Sequence, residues 1–334
     1  MIYYAWSSDL SNSSGEGKLG LMFLEDIYNL TKKNIRCFSN NGNFVYSKKT
    51  KSLFKENKVN NNFYNNYVKI YYGIFLMWKY YFLKKKIIYV NYLPIWNFLI
   101  FLLLPPKTIL GPITGNLKKN RKIFGIIKID FILYLCSLIS LLILKIKKKS
   151  FFFAHEELYK KLKENLWFDC FYNYQLLYFK KSKKNLSKKN NILIYNRSNK
   201  SKNIKFLLSN LFKKKFFDEI GVIGQKLSLN SVKNYGYINH NKLLKILPKY
   251  KFALISDENI YSFFCLDALS CQVKLIYNQN SHKFKNYFNN SQFIKLNKLN
   301  SKNISKKNKK IFLNKKIEKI LIFNLNKYLK NVLI

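Results

Sequence analysis

Apolar positions along this chain follow two alternating rhythms. Short unbroken runs at Ile2–Trp6, Ile35–Phe38, Ile87–Val90 and Thr108–Leu110 read as buried strands. Between them, spacing of three and four residues predicts helices over Lys18–Leu30, Tyr64–Leu83 and Trp96–Leu104. The Asn- and Lys-rich stretch 40–62 reads as an exposed loop. The longest apolar run, Phe131–Leu144, predicts another helix, followed by a strand at Phe151–Phe153 and a short helix at Glu156–Glu164. Lys180–Asn191 is almost wholly polar and reads as a linker. The alternation then restarts, with strands at Ile192–Tyr195, Glu219–Ile223, Phe252–Ile255 and Lys274–Tyr277, and helices at Ile204–Phe212, Asn241–Leu247 and Tyr261–Leu269. A Lys-rich segment and a helix over Lys315–Leu329 close the chain. Strand–helix–strand repetition of this kind predicts an α/β protein of two Rossmann-like domains, 1–184 and 185–334, with the terminal helix in the second.

Composition supports two cores. The 334 residues exceed one domain of typical size, and 48 % hydrophobic with 17 % aromatic content excludes a disordered chain. The formal net charge of +45 points to a polyanionic partner, nucleic acid or an anionic membrane surface. Runs such as Lys84-Lys85-Lys86, Asn60-Asn61-Asn62 and Lys213-Lys214-Lys215, beside abundant Ile, Tyr and Phe, bear the stamp of an AT-rich coding sequence, so part of that charge is compositional. Aromatics fall mostly inside apolar runs rather than interleaving with lysines, which argues against a nucleic-acid surface. Residues 131–144 fall short of the roughly 20 needed to span a bilayer. A core helix, an interfacial helix and a true span all remain open, and flanking Lys128, Lys145 and Lys147–Lys149 favour contact with anionic lipid. Trp96–Leu104, stopped by Pro105-Pro106, fits the same membrane-facing patch. Five scattered cysteines without CxxC spacing fit buried thiols in a reducing cytoplasm, and the start of the chain has no secretory leader pattern. The expected location is cytoplasmic, peripheral to the cytoplasmic membrane.

In open α/β sheets, ligands bind beyond the carboxyl ends of strands, and two such domains are expected to face a central cleft. Three segments fall there. Ser13-Ser14-Gly15-Glu16-Gly17 follows the first strand and can turn backbone N–H groups toward an anion or a sugar. Arg197 and Lys202 follow the strand at 192–195 and precede a helix, a placement that suits a diphosphate, although among 61 Lys and Arg ordinary solvated charges are the plainer reading on spacing alone. Glu258 and Asp267, two of only 16 acidic residues, bracket the loop and helix after the strand at 252–255, where carboxylates accept ribose or sugar hydroxyls; helix capping by Asp257, Glu258 or Asn259 is the plainer reading. His155, His240 and His282 lack partners at ligand spacing, and of these His155 alone follows a first-half strand toward the expected cleft. With no Asp-x-Asp pair and no GxxxxGK[ST] loop, neither a metal nor a cofactor is expected, and the absence argues against an NTPase.

The second half resembles the nucleotide-binding domain of group 1 glycosyltransferases of GT-B fold. Asn196-Arg197 and Lys202-Asn203 keep the family's Arg–Lys spacing of five. Ser256-Asp257-Glu258-Asn259 and Asp267-Ala268-Leu269-Ser270-Cys271-Gln272 follow its acidic loop and Glu-Ala-Met/Leu-Ala-x-Gly helix, and Tyr235-Gly236-Tyr237-Ile238 follows the turn leading to its donor base pocket. Ser14–Gly17 and Gly111-Pro112-Ile113 resemble the first half more loosely. Two departures stand out: Asn259 occupies the position eight before Asp267 where the family has glutamate, and Gln272 replaces the usual glycine. The resemblance implies a retaining, metal-independent transferase. Arg197 and Lys202 would hold the diphosphate of a UDP- or GDP-sugar, Tyr237, Glu258, Asn259 and Asp267 would contact the donor, and Ser14, Gly15, Glu16 and Gly17 would form the acceptor or phosphate loop. The implied acceptor is a cell-envelope glycan or a lipid-linked sugar. A catalytically inactive sugar-binding protein and a basic nucleic-acid-binding protein are the alternatives.

Overall fold

A computed structural model describes residues 2–11, 14–40, 42–47, 53–57, 66–115, 122–123, 127–163, 170–179, 189–197, 216–229, 232–254, 262–277, 287–288, 293–300, 304 and 313–333. The chain divides into two units, Met1–Gln175 with Leu321–Ile334, and Leu176–Ile320.

In the first unit the elements run β1 (Tyr3–Ser7), α1 (Gly15–Thr31), β2 (Ile35–Ser39), β3 (Gly42–Tyr46), β4 (Leu53–Asn57), α2 (Asn66–Phe82), β5 (Lys86–Asn91), α3 (Phe98–Leu103) and β6 (Ile109–Leu110). A small ribbon, β7 (Lys122–Ile123) and β8 (Ile127–Lys128), leads into α4 (Ile129–Ile146), then β9 (Phe151–Phe152), α5 (Glu156–Leu162) and β10 (Cys170–Phe171). The sheet has the order β4-β3-β2-β1-β5-β6. Its centre is parallel, with Ala5 of β1 set between Cys37 and Ile88. Trp6, Met77, Tyr89, Leu141 and Phe153 belong to one buried cluster, which brings α2, α4 and the sheet together.

Two strands correct the expectation of a loop over 40–62: β3 and β4 extend the sheet antiparallel from β2. Phe44 lies opposite Cys37 and Tyr46 opposite Ile35, so a few apolar positions suffice to add an edge pair to a sheet that already exists.

The second unit contains β11 (Asn191–Asn196), β12 (Glu219–Gly224), β13 (Val232–Gly236), α6 (His240–Ile246), β14 (Phe252–Leu254), α7 (Phe263–Ser270), β15 (Lys274–Tyr277) and β16 (Phe293–Lys295). Its six strands pair in parallel, in the order β13-β12-β11-β14-β15-β16. The strands are short and almost fully apolar at the centre, as strands covered on both faces require. The helix expected over 204–212, and most of the linker, lie outside the described residues.

The last helix, α8 (Lys315–Leu333), differs from expectation in its allegiance: from Leu321 onward it groups with the first unit, while the other junction falls at 175–176, about ten residues before 185. The reason is a buried stripe of Leu321, Leu325, Tyr328 and Leu329. The Tyr328 ring packs 5.9 Å from Phe152 and 6.1 Å from Phe171, and its hydroxyl donates to the Leu110 carbonyl at the end of β6.

Candidate functional site

Counted from its first strand, the sheet of the second unit has the order 3-2-1-4-5-6. Connections leave β11 and β14 in opposite directions, and the carboxyl ends of those two strands flank the crevice where such folds bind ligands. Arg197 is the residue immediately after β11. Its guanidinium lies 5.0 Å from the centre of the Tyr195 ring, which packs 5.2 Å from Phe264 in the first turn of α7, the helix that follows β14. An aromatic bridge thus joins an exposed cation to a helix N-terminus, both sources of positive potential. The backbone beneath is fixed by Asn196, whose side-chain amide donates to the Gln225 carbonyl at 2.8 Å while its own carbonyl accepts from Gln225 N at 2.9 Å. Gly224 at the end of β12 makes this possible, with φ of 90° and a hypothetical Cβ only 2.1 Å from the Asn196 carbonyl oxygen. Lys202, Glu258 and Asn259 lie outside the described residues.

Asp267 sits in the middle of α7 and is 2 % exposed. Tyr178 Oη donates to its Oδ1 at 3.1 Å, and His240 Nε2 lies 3.0 Å from its Oδ2 and 3.0 Å from Tyr178 Oη. Burial, and after it the Asp267 charge, push the Tyr178 phenol well above its ordinary range, so it stays protonated and donates. The network ties α7 to the first residue of α6, whose N-cap Asn239 accepts from Lys242 N at 2.9 Å. Sequence reasoning found Asp267 but gave His240 no role and missed Tyr178, since the partners stand 27 and 89 residues away. Tyr237, the residue directly after Gly236 at the end of β13, is 76 % exposed and belongs to none of these contacts. Gln272 adopts φ of 58°, the left-handed conformation for which glycine is the usual choice, closing α7 as Gln272 N donates to the Leu269 carbonyl.

The first unit has a counterpart, because its strand order reverses between β1 and β5. The loop after β1 is drawn together by Asn91 at the end of β5, whose amide donates to the carbonyls of Asp9 and Glu16, each at 3.0 Å. Ser14 caps α1 by accepting from Gly17 N at 2.8 Å, and its hydroxyl donates to Asp9. A Cβ on Gly17 would lie 2.3 Å from the Ser11 carbonyl oxygen, so the loop closes only over glycine. Gly15 and Glu16 are exposed at the helix start. Loss of hydration, then the charge of Asp9, pushes the Glu16 carboxyl up to about 7. With two acids at its mouth, this loop suits hydroxyl groups better than a phosphate. Among the described residues no three His, Cys, Asp or Glu side chains group as metal ligands would.

A comparison with solved structures brings these observations together. A glycosyltransferase from Rickettsia africae superposes with a TM-score of 0.51 over 99 % of this chain and 92 % of its own, at 12 % identity. The fold is GT-B. Weaker likenesses within the GT-B comparison are to the lipopolysaccharide outer core galactosyltransferase WaaB in its apo form (TM-score 0.49, 11 % identity, 99 % and 91 % of the two chains) and to an alpha-glucosyltransferase in complex with UDP-glucose and DNA containing an abasic site (0.46, 11 %, 98 % and 90 %). No protein-family model matches the GT-B chain described here, and no curated protein is similar to it in sequence.

Proposed function

We propose that this GT-B chain transfers a sugar from a UDP- or GDP-linked donor to a hydroxyl of a cell-envelope glycan or lipid-linked acceptor, with retention and without a metal. The observation that carries this reading is Arg197 at the strand-order reversal of a parallel sheet, linked through Tyr195 and Phe264 to the start of α7. In the reaction, the bond between the anomeric carbon and the distal phosphate oxygen breaks. The acceptor oxygen bonds to that carbon, and its proton passes to the departing diphosphate. Negative charge grows on the diphosphate as this happens, so Arg197 and Lys202 act more strongly in the transition state than on the bound donor. Tyr237, Glu258, Asn259 and Asp267 serve the base, ribose and sugar, Asp267 being held in orientation by Tyr178 and His240. The Ser14–Gly17 loop, with the high pKa of Glu16, receives acceptor hydroxyls.

Release of UDP or GDP from a panel of nucleotide sugars tests the proposal. Arg197→Ala and Lys202→Ala each lower turnover about a hundred- to a thousand-fold with a smaller loss of nucleotide affinity. Lys319→Ala, an exposed lysine of α8, leaves turnover unchanged. Wild-type turnover in both site variants would refute the assignment. Thermal stabilisation by UDP without any turnover would identify an inactive sugar-binding protein, and stabilisation by single-stranded oligonucleotide alone a nucleic-acid-binding one.

A further inference from the structure

Three helix ends of the first unit are tied into one corner. Trp78 near the end of α2 donates from Nε1 to the Leu103 carbonyl at 2.7 Å. Lys147, just past α4, reaches the other side of the same helix end, its Nζ donating to the carbonyls of Phe101, Leu102 and Leu104 at 2.7–2.8 Å. Large apolar side chains stand exposed around this junction: Phe82 (73 %), Leu102 and Leu103, Leu142, and Ile146 (71 %). They continue along α4 as the stripe Phe131, Leu135, Ile139, Leu142, Ile146, spaced by four, four, three and four residues.

The opposite face of α4 is committed to the protein. Leu133, Leu141 and Leu144 join the core cluster, and Ser137 and Ser140 are buried with their hydroxyls donating to the carbonyls of Leu133 and Cys136. By length and hydropathy α4 qualifies as a membrane span, yet a helix crossing a bilayer would have to leave this core. Lying in the plane of a bilayer surface instead keeps the buried face buried and covers the exposed one.

Charge identifies the surface. Exposed Lys84, Lys85, Lys107, Lys145 and Lys148 lie at or past the joined helix ends, and the one acidic residue of α2, α3 and α4 is Asp130, in the first turn of α4 at the far end from the corner. An apolar centre inside a rim of one sign complements acyl chains beneath anionic headgroups.

We propose that the joined ends of α2, α3 and α4 form an in-plane docking surface for an anionic lipid bilayer. Exposed side chains carry the argument, so their substitution leaves the core intact. The test is sedimentation of the full chain with vesicles of phosphatidylcholine alone or in equal mixture with phosphatidylglycerol, in low and high salt. The chain binds the mixed vesicles, and salt weakens binding because it screens the lysines. Leu142→Gln with Ile146→Gln lowers the partition coefficient about tenfold or more, as does Lys145→Glu with Lys148→Glu, whereas Leu229→Gln, an exposed leucine of the second unit, has no effect. Circular dichroism confirms that each variant is folded. Four results would overturn the proposal: no vesicle binding, equal salt-independent binding to both vesicle types, resistance of bound protein to alkaline extraction, or a dimer in solution that Leu142→Gln with Ile146→Gln dissociates. None of these readouts requires sugar transfer, so failure here and failure of the proposed activity are separable.

Discussion

His155 shows how far a single residue's sequence context falls short of its environment. It follows a strand, as expected of a residue directed at a site, yet it is the N-cap of α5 and its Nδ1 is out of contact with solvent. Loss of hydration, then the charge of Lys161, pushes the ring down from 6.5 to about 4. Between those values the unfolded chain binds a proton that the folded chain does not, so stability falls as pH drops through that window, by at most about 3 kcal/mol. Glu16 acts in the opposite sense: its raised pKa makes the folded chain hold a proton longer, so its contribution is lost as pH rises from 4.5 to about 7. Comparison with His155→Asn, which removes the titration and keeps a good cap, separates the two effects. Wild type loses stability relative to the variant from pH 6.5 down to about 4 and no further. Urea unfolding followed by tryptophan fluorescence measures it, since Trp6, Trp78 and Trp96 fall within the first unit. At this scale the positions of Arg197 after a strand and of Asp267 in a helix were legible, because apolar runs mark both elements. The partners of Asp267 were not, because nothing local in sequence ties Tyr178 to it.

At the scale of elements, helices and central strands were read within a few residues, since a continuous apolar run or a regular stripe survives any background composition. Of the outer strands, β6 was, but β3, β4 and β13 were not. β13 is Val-Lys-Asn-Tyr-Gly, half exposed, with nothing in its pattern to set it apart from a loop, and β3 and β4 disappear among Asn and Lys. The tie between α3 and α4 was equally silent, because a lysine in a run of lysines gives no sign that it has left solvent. Desolvation lowers the Lys147 pKa, and three charge-assisted bonds to carbonyls at the end of α3 hold it there. Replacing it by Met removes a cation from a helix C-terminus and leaves those carbonyls short of a donor, at a cost of about 1–3 kcal/mol. Lys148→Met, an exposed neighbour, changes little. Tryptophan-detected urea midpoints for the two variants distinguish a structural lysine from a compositional one.

Across the whole molecule, the alternation of strands and helices announced two α/β units, and the GT-B fold agrees. What alternation cannot state is which core an amphipathic helix will join, and α8 returns to the first. Deleting residues 321–334 therefore removes Leu321, Leu325, Tyr328 and Leu329 from a core built by residues that precede 176. The expected result is loss of cooperative tryptophan-detected unfolding in the first unit, with the deletion chain bound by a hydrophobic dye; full cooperativity would show that the stripe contributes little. The return has a further consequence for biosynthesis. Domains ordinarily complete folding in the order in which they emerge from the ribosome. Here the amino-terminal unit waits for Tyr328, whose ring closes over Phe23, Phe152 and Phe171, until the second unit has been synthesised. The unit translated first has its strands early but not its last helix, so it stands with an unfilled core while the second unit is made, and is the part of the nascent chain that most needs a chaperone.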